Sequence, residues 1–547
     1  MARASDLTVG QYLTFLLPRL RGRNHHIPAW PPDVFGLCAS LLIKSGAYSR
    51  VLSHWPPAKY SPDEASPKSW AKTADRVAKS WRKSWVKSGT APVRVQMLWN
   101  KLIAGKDIPL QIMADDLRLC QCVLELCGFA DECGQGMGSP LDGDETDIDE
   151  AFLFHASDLL QRDRPGSSVA GEIHASRLRV LPKMHTPQSG LTVRSLSLYL
   201  ALCGPSEVVP KWIEPISAFE DHSLNLLVVP WPTQIYPVQF REAKPMPTEM
   251  RNMPDRFRFF TFDGQSSGVL NFVRILYETA KEQTGRIDGV VLPELALSTD
   301  EHLQLREFVL SNGSFLVSGV GTSSNSPVEP GRNEVCLDLP LAEPLKQGKH
   351  HRWKLDASQI SQYSLGGRLD PECEWWEHIK LDNREFLFAA FHADIVLSVL
   401  ICEDLARPDP VGDLVRAVAP NLVIAVLMDA PQVKERWAGR YANALADDPG
   451  CSVLSVTSLG MSKLSRPREG KSRSRVIALW KDSKTGTCEI EMEEGSNAVV
   501  LSLSMRYVQE WSADGRYGSS VHPILSGVRC IQQLIVPQGP SQDADRV

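Results

Sequence analysis

Residues 397–408 read LSVLICEDLARP, and this stretch decides the fold. Leu397, Val399, Leu400 and Ile401 are apolar and partly β-branched, the pattern of a strand end buried on both faces. Cys402 follows, then two carboxylates and a basic segment broken by Pro408. The carboxyl edge of a buried sheet is where α/β proteins present reactive groups, so a thiol there is a candidate nucleophile. Taken alone it is more often a core residue, because free cysteine packs as a small hydrophobe.

Working outward, the same grammar repeats. Residues 224–229 (LNLLVV), 257–262, 289–292, 315–320, 335–339, 386–390, 422–427, 452–456 and 476–480 read as strands. Residues 270–282, 300–310, 414–418 and 435–446 read as helices between them. Strands alternating with helices predict an α/β domain with a covered sheet.

Residues 1–215 differ. Helical patterns over 12–20, 34–43, 70–85 and 93–103 predict a mainly helical N-terminal region. Trp70, Trp81 and Trp85 share one helical face, ringed by Lys72, Arg76, Lys79, Arg82, Lys83 and Lys87. Such a stripe is expected to be core with solvated charges around it, rather than a nucleic-acid surface. Residues 134–150 (GQGMGSPLDGDETDIDE) form a Gly-rich, acidic break; the Asp142, Asp144, Asp147, Asp149 alternation lacks the Gly and Glu of a calcium loop. A connector at 176–215 is read as a short strand and a compact helix over 192–202.

Bulk properties narrow the classes. In 547 residues with a formal net charge of −6, nothing calls for nucleic acid or membrane as a partner, and no apolar run spans a bilayer. The twelve cysteines show no CxxC pair. That pattern predicts free thiols, a cytoplasmic setting and no metal, the Cys120, Cys122, Cys127, Cys133 group included.

Two further strand-edge features accompany Cys402. Residues 290–297 (VVLPELAL) put Glu294 just past a buried strand, where apolar surroundings raise a carboxyl pKa toward that of a general base. Residues 351–358 (HRWKLDAS) put Lys354 after an extended segment. Acyl transfer to a thiol needs a base for its proton and a cation or amide donor for the oxyanion. Glu, Lys and Cys supply these parts.

In order and context these stretches resemble the carbon–nitrogen hydrolase (nitrilase) superfamily. The residues that carry the resemblance are Pro293-Glu294, Arg352-Trp353-Lys354, and Ile401-Cys402-Glu403-Asp404 with Pro408. The flanks at 318–322, Arg332-Asn333, Trp437, 453–460 and 470–480 fall in the family's order, over about residues 223–535. The resemblance implies a nitrilase-like αββα sandwich preceded by the helical region, with residues 536–547 as a flexible tail.

It further implies Glu294 as general base, Cys402 as nucleophile, Lys354 as the cation and the Glu403 N–H as second oxyanion donor. No cofactor is implied. The substrate would be a small amide or nitrile, the first step would give a thioester-type intermediate passed on to water (hydrolase) or an amine (acyl transferase), and the assembly would be a homodimer or higher homo-oligomer. Many members carry a further Glu eight residues after the Lys; here Gln362 stands there, with Glu372 or Glu374 as replacements. Gln362, Tyr363, Asp429 and Trp437 are the expected pocket residues. A weaker resemblance links the connector and this domain to nitrilase-like domains of bacterial reverse-transcriptase antiphage systems. The alternatives are a binding or scaffold module in a multi-protein assembly, with the N-terminal helices contacting a protein partner, or nucleic-acid binding through the basic, Trp-rich helix at 68–87.

Overall fold

The strand that leads to Cys402, Ile395–Ile401, is buried at every position. It pairs in parallel with Leu422–Leu427, which pairs in parallel with Ser452–Thr457. Val476–Asp482 and Gly486–Glu491 extend this side antiparallel, while Glu385–His392 and Val209–Ile213 complete the other, giving a seven-stranded sheet. This is a computed structural model, and it describes residues 7–22, 25–57, 67–139, 147–162, 166–214, 223–244, 254–264, 268–322, 328–392, 395–467 and 473–532.

A second seven-stranded sheet runs Leu345–Gly348, Arg332–Asp338, Phe315–Thr322, Gly289–Val291, Ser223–Val228, Ser496–Trp511, Tyr517–Gln532. Side chains alternate across it, as the pleat requires. Leu226, Val228, Val291, Val317 and Leu337 share one core with Leu397, Ile424 and Leu454 of the first sheet. Leu227, Val290, Leu316 and Val500 instead pack with Val273, Leu276 and Leu305 of helices Val269–Thr284 and Thr299–Ser311. Leu414, Ala438 and Ala442, on helices Asp413–Val418 and Trp437–Asp447, belong to the core of the first sheet. The layers are αββα.

The N-terminal region is helical: Val9–Leu16, Pro31–Ser45, Ala47–Leu52, Pro67–Ser88, Val93–Ala104, Leu117–Glu132 and Asp147–Gln161. Trp70 and Trp81 are fully buried, so the tryptophan stripe is core. Cys120, Cys122 and Cys133 are buried thiols hydrogen-bonded to the carbonyls of Met113, Leu98 and Ala78. All twelve cysteines are free. Among the described residues no helix is long and apolar enough to cross a membrane. Asp142 and Asp144 of the acidic break, residues 468–472, and the 536–547 tail lie outside the described residues.

Two local expectations change. The compact helix expected at 192–202 is one turn, Val193–Leu196, followed by strand Leu200–Cys203 paired with Arg179–Pro182. The cause is Asp131, whose buried carboxylate accepts the N–H groups of Leu198, Tyr199 and Leu200 and holds that backbone extended. Val209–Ile213, inside the expected N-terminal region, is an edge strand of the first sheet. The long hairpin Ser496–Trp511 and Tyr517–Gln532 ties the regions together from the other side. Its buried Arg516 reaches Asp131 at 2.8 Å and Glu132 at 3.0 Å.

Candidate active site

Three strand ends meet under a small cap. Cys402 directly follows Ile395–Ile401, Glu294 lies three residues past Gly289–Val291, and Lys349 directly follows Leu345–Gly348. The cap is a four-stranded sheet in the order Lys354–Leu355, Glu374–Glu377, Phe257–Phe262, Phe240–Ala243. Its Phe260 and Trp375 pack with Trp353, Tyr363, Met428 and Met461. Met428 immediately follows strand Leu422–Leu427, so this aromatic cluster sits on the carboxyl edge of the first sheet.

The Lys349 side chain is 1% exposed, as is that of Glu294. Its Nζ lies 2.7 Å from Glu294 Oε1 and 2.7 Å from Glu377 Oε2. Asn333 Nδ2 donates to both carboxylates at 2.7 Å. The Met428 N–H donates to Glu294 Oε2 at 2.7 Å, and the Trp353 N–H to Glu377 Oε2 at 3.1 Å. A buried ammonium needs this full set of partners, since an unpaired charge would cost several kcal/mol.

Cys402, 2% exposed, is close enough to Glu294 and Lys349 to feel both charges. Burial pushes its thiol well above the ordinary value, with Glu294 adding to the rise and Lys349 opposing it. Burial also raises Glu294; Lys349 and Asn333 oppose that rise, and the Glu377 charge adds to it. Burial works to lower Lys349, but Glu294 and Glu377 together hold it well above its ordinary value. Burial thus favours the neutral thiol, while Glu294 and Glu377 favour the charged ammonium.

Backbone strain marks the same points. Cys402 has φ 46° and Leu295, next to Glu294, has φ 53°. Non-glycine residues in this left-handed region cost of order 1–3 kcal/mol and cluster at functional sites. Strand Phe315–Thr322 passes so close to Glu294 that a Cβ on Gly319 would strike the backbone of Pro293 and Glu294.

Lys354, expected as the cation, is elsewhere. Its side chain is 44% exposed, pairs with Glu374 at 2.6 Å and lies over the Trp376 ring. Lys349, five residues earlier, occupies the position between the carboxylates. The second carboxylate beside Lys349 is Glu377, not Glu372 or Glu374, and Gln362 instead donates to Ser465 Oγ at 3.3 Å. Tyr363 and Asp429 are together: Tyr363 Oη donates to Asp429 Oδ1 at 2.6 Å, and Arg436 holds the same oxygen at 2.7 Å. The Asp429 charge also registers at Cys402. Trp437 is half-buried and packs edge-on against Tyr441. The Glu403 carboxylate turns to Arg407 at 3.2 Å, which leaves its backbone N–H at the first turn after the thiol.

Asn333 was legible only as a flank, and Lys349 and Glu377 not at all. One signal was available: Lys349, like Cys402, is the first residue after a strand. That strand, LKQG, carries no apolar pattern to reveal it. A cavity of about 440 Å³ reaches Glu377 and Leu295 and is walled by Phe262, Arg332 and His378; Cys402 is not part of its lining.

No family model matches the chain, and no curated protein matches it. Solved structures similar to it are nitrilase-superfamily proteins. Nit3 of Saccharomyces cerevisiae, a member of branch 10 of that superfamily, is 12% identical, with 52% of this chain and 91% of that chain covered and a TM-score of 0.32. The amidase of Nesterenkonia sp. is 15% identical, over 58% and 92%, with a TM-score of 0.27. A CN-hydrolase superfamily protein of Xanthomonas campestris with an arsenic adduct in its active site is 13% identical, over 57% and 91%, with a TM-score of 0.27.

Proposed function

We propose that the chain is a cysteine-dependent carbon–nitrogen hydrolase of the nitrilase type, acting on a small non-peptide amide or nitrile. The observation that carries this reading is the buried Lys349 ammonium, shared between Glu294 and Glu377 beside Cys402. An ion triad in a core is costly, and a strained thiol next to it is costly again. Catalysis gives both a reason.

For an amide the steps balance as follows. Glu294 takes the Cys402 proton as Sγ bonds to the carbonyl carbon. The oxyanion develops against the Lys349 ammonium and the Glu403 N–H, fixed donors in a water-poor site. The proton passes from Glu294 to the leaving nitrogen, the C–N bond breaks, and an amine or ammonia departs from the thioester. Water then attacks with Glu294 again as base, the S–C bond breaks and the thiol regains its proton. Glu377 and Asn333 hold Lys349 and Glu294 in register throughout. A nitrile would enter the same path through a thioimidate.

A second reading, a module that keeps the constellation without turnover, is favoured by one observation: Cys402, Glu294 and Lys349 are each no more than 3% exposed. Substrate entry requires the cap to move.

Intact-protein mass spectrometry after incubation with a panel of short amides and nitriles, acid-quenched, separates the two. An acyl adduct on the wild type, mapped to Cys402 and missing from Cys402→Ala, is the expected result. No adduct and no released ammonia across the panel would leave the second reading standing and defeat the first.

A further inference from the structure

We propose that His185, Glu510 and His522 form a binding site for a divalent transition-metal ion of the zinc class, which pins the connector to the long hairpin. The three residues are buried, at 0%, 6% and 6% exposure. His185 follows the strand Arg179–Pro182; Glu510 and His522 sit on the two strands of the hairpin. Each offers one ligand atom, and these atoms lie within 4.8 Å of one another.

The spacing of the three groups fits a metal site. Glu510 Oε1 is 3.2 Å from His185 Nδ1 and 3.3 Å from His522 Nε2. Ligands bonded at about 2.0–2.1 Å to a tetrahedral zinc lie about 3.3 Å apart along each edge. The two oxygen–nitrogen spacings match two such edges, and all three ligand atoms lie within 4.8 Å of one another. The imidazole rings face each other with centroids 4.2 Å apart, so both nitrogens converge on one oxygen.

The surroundings also suit a metal. The Thr186 N–H donates to Glu510 Oε2 at 2.7 Å, fixing the carboxylate as outer-sphere partners do. Ser520 Oγ lies 3.1 Å from His522 Nε2, placing a hydroxyl where a fourth ligand or its water would be held. Two neutral imidazoles and a carboxylate are the donor set of three-ligand zinc sites. Residues so far apart in the chain form no motif, which is why the sequence predicted no metal.

The site shares no residue with Cys402, Glu294 or Lys349, so its test is independent of the proposed reaction. The full chain, stripped with chelator and dialysed, is titrated with Zn²⁺ and with Co²⁺. About one ion per chain, a tetrahedral cobalt spectrum lacking a thiolate band, and a higher melting temperature with zinc are expected. X-ray absorption of the zinc form should show nitrogen and oxygen neighbours with imidazole scattering. His522→Gln and Glu510→Gln should lose the ion. Absence of stoichiometric binding by the wild type, or sulfur in the first shell, would overturn the assignment whether or not the variants fold.

Discussion

Asp404 Oδ2 accepts the backbone N–H of His350 at 3.1 Å, while Oδ1 meets His351 Nδ1 at 2.8 Å. The turn that begins with Cys402 thus grips the residue next to Lys349, and thiol and ammonium are held by one carboxylate that touches neither. Replacing Asp404 by Ala leaves a buried N–H unpaired, at a cost of about 1–3 kcal/mol. We expect a lower urea midpoint, and turnover lost in excess of that destabilisation because Lys349 loses its register. Unchanged turnover in a folded Asp404→Ala protein would disprove the coupling.

Lys349 and Lys354 should separate cleanly. Lys349→Met leaves Glu294 and Glu377 buried without their cation, which should destabilise by about 3–5 kcal/mol and cut kcat at least about 100-fold. Lys354→Ala removes an exposed pair and should cost under about 1 kcal/mol, with activity retained. Parallel denaturation and activity measurements check both; an inactive, stable Lys354→Ala would reverse the assignment.

The pH profile follows from Glu294. As general base it must be ionised, and burial raises its pKa, so activity should climb with pH through a limb above the ordinary carboxylate range. Lys349, held above its ordinary value, should give no alkaline fall until beyond the normal lysine range. For stability the sign is opposite. Between the unfolded and folded pKa values the native state holds a proton that the unfolded chain has released, so this carboxyl weakens the fold as pH rises. A kcat/KM profile showing an ordinary carboxylate limb would contradict the base assignment.

Strain at Cys402 is measurable by comparing two inactive variants. Both Cys402→Ala and Cys402→Gly remove the thiol, but only glycine accepts φ 46° freely. The glycine variant should therefore be the more stable of the two by about 1 kcal/mol, the usual left-handed penalty. Thermal melts decide it, and equal or reversed stabilities would argue against strain.

Gly319 donates its N–H to the Pro293 carbonyl at 3.1 Å, at a distance only a residue without a Cβ can keep. Gly319→Ala should push the Pro293–Leu295 backbone aside, lowering both melting temperature and kcat. Gly204→Ala, where a Cβ meets nothing within 4 Å, is the control; equal effects from the two would show that the close approach at Gly319 is not what matters.

What the sequence determined by itself was the strands and helices of the α/β domain with an apolar signature up to residue 480, while the long hairpin Ser496–Trp511 and Tyr517–Gln532 went unread despite its apolar stretch. The strand ending at Ile401, its parallel neighbours and the strand before Glu294 were readable because burial on both faces demands unbroken Val, Leu and Ile. Cys402 and Glu294 were readable with them, each standing just past such a strand. Lys349 and Glu377 were not. They ride on LKQG and EWWE, short polar or mixed strands whose burial arises only when the cap folds over the sheet edge. The tertiary structure decided which lysine becomes the buried cation, because in a sequence Lys349 and Lys354 are two lysines five residues apart. Only the meeting of Glu294, Glu377 and Asn333 makes one of them worth burying.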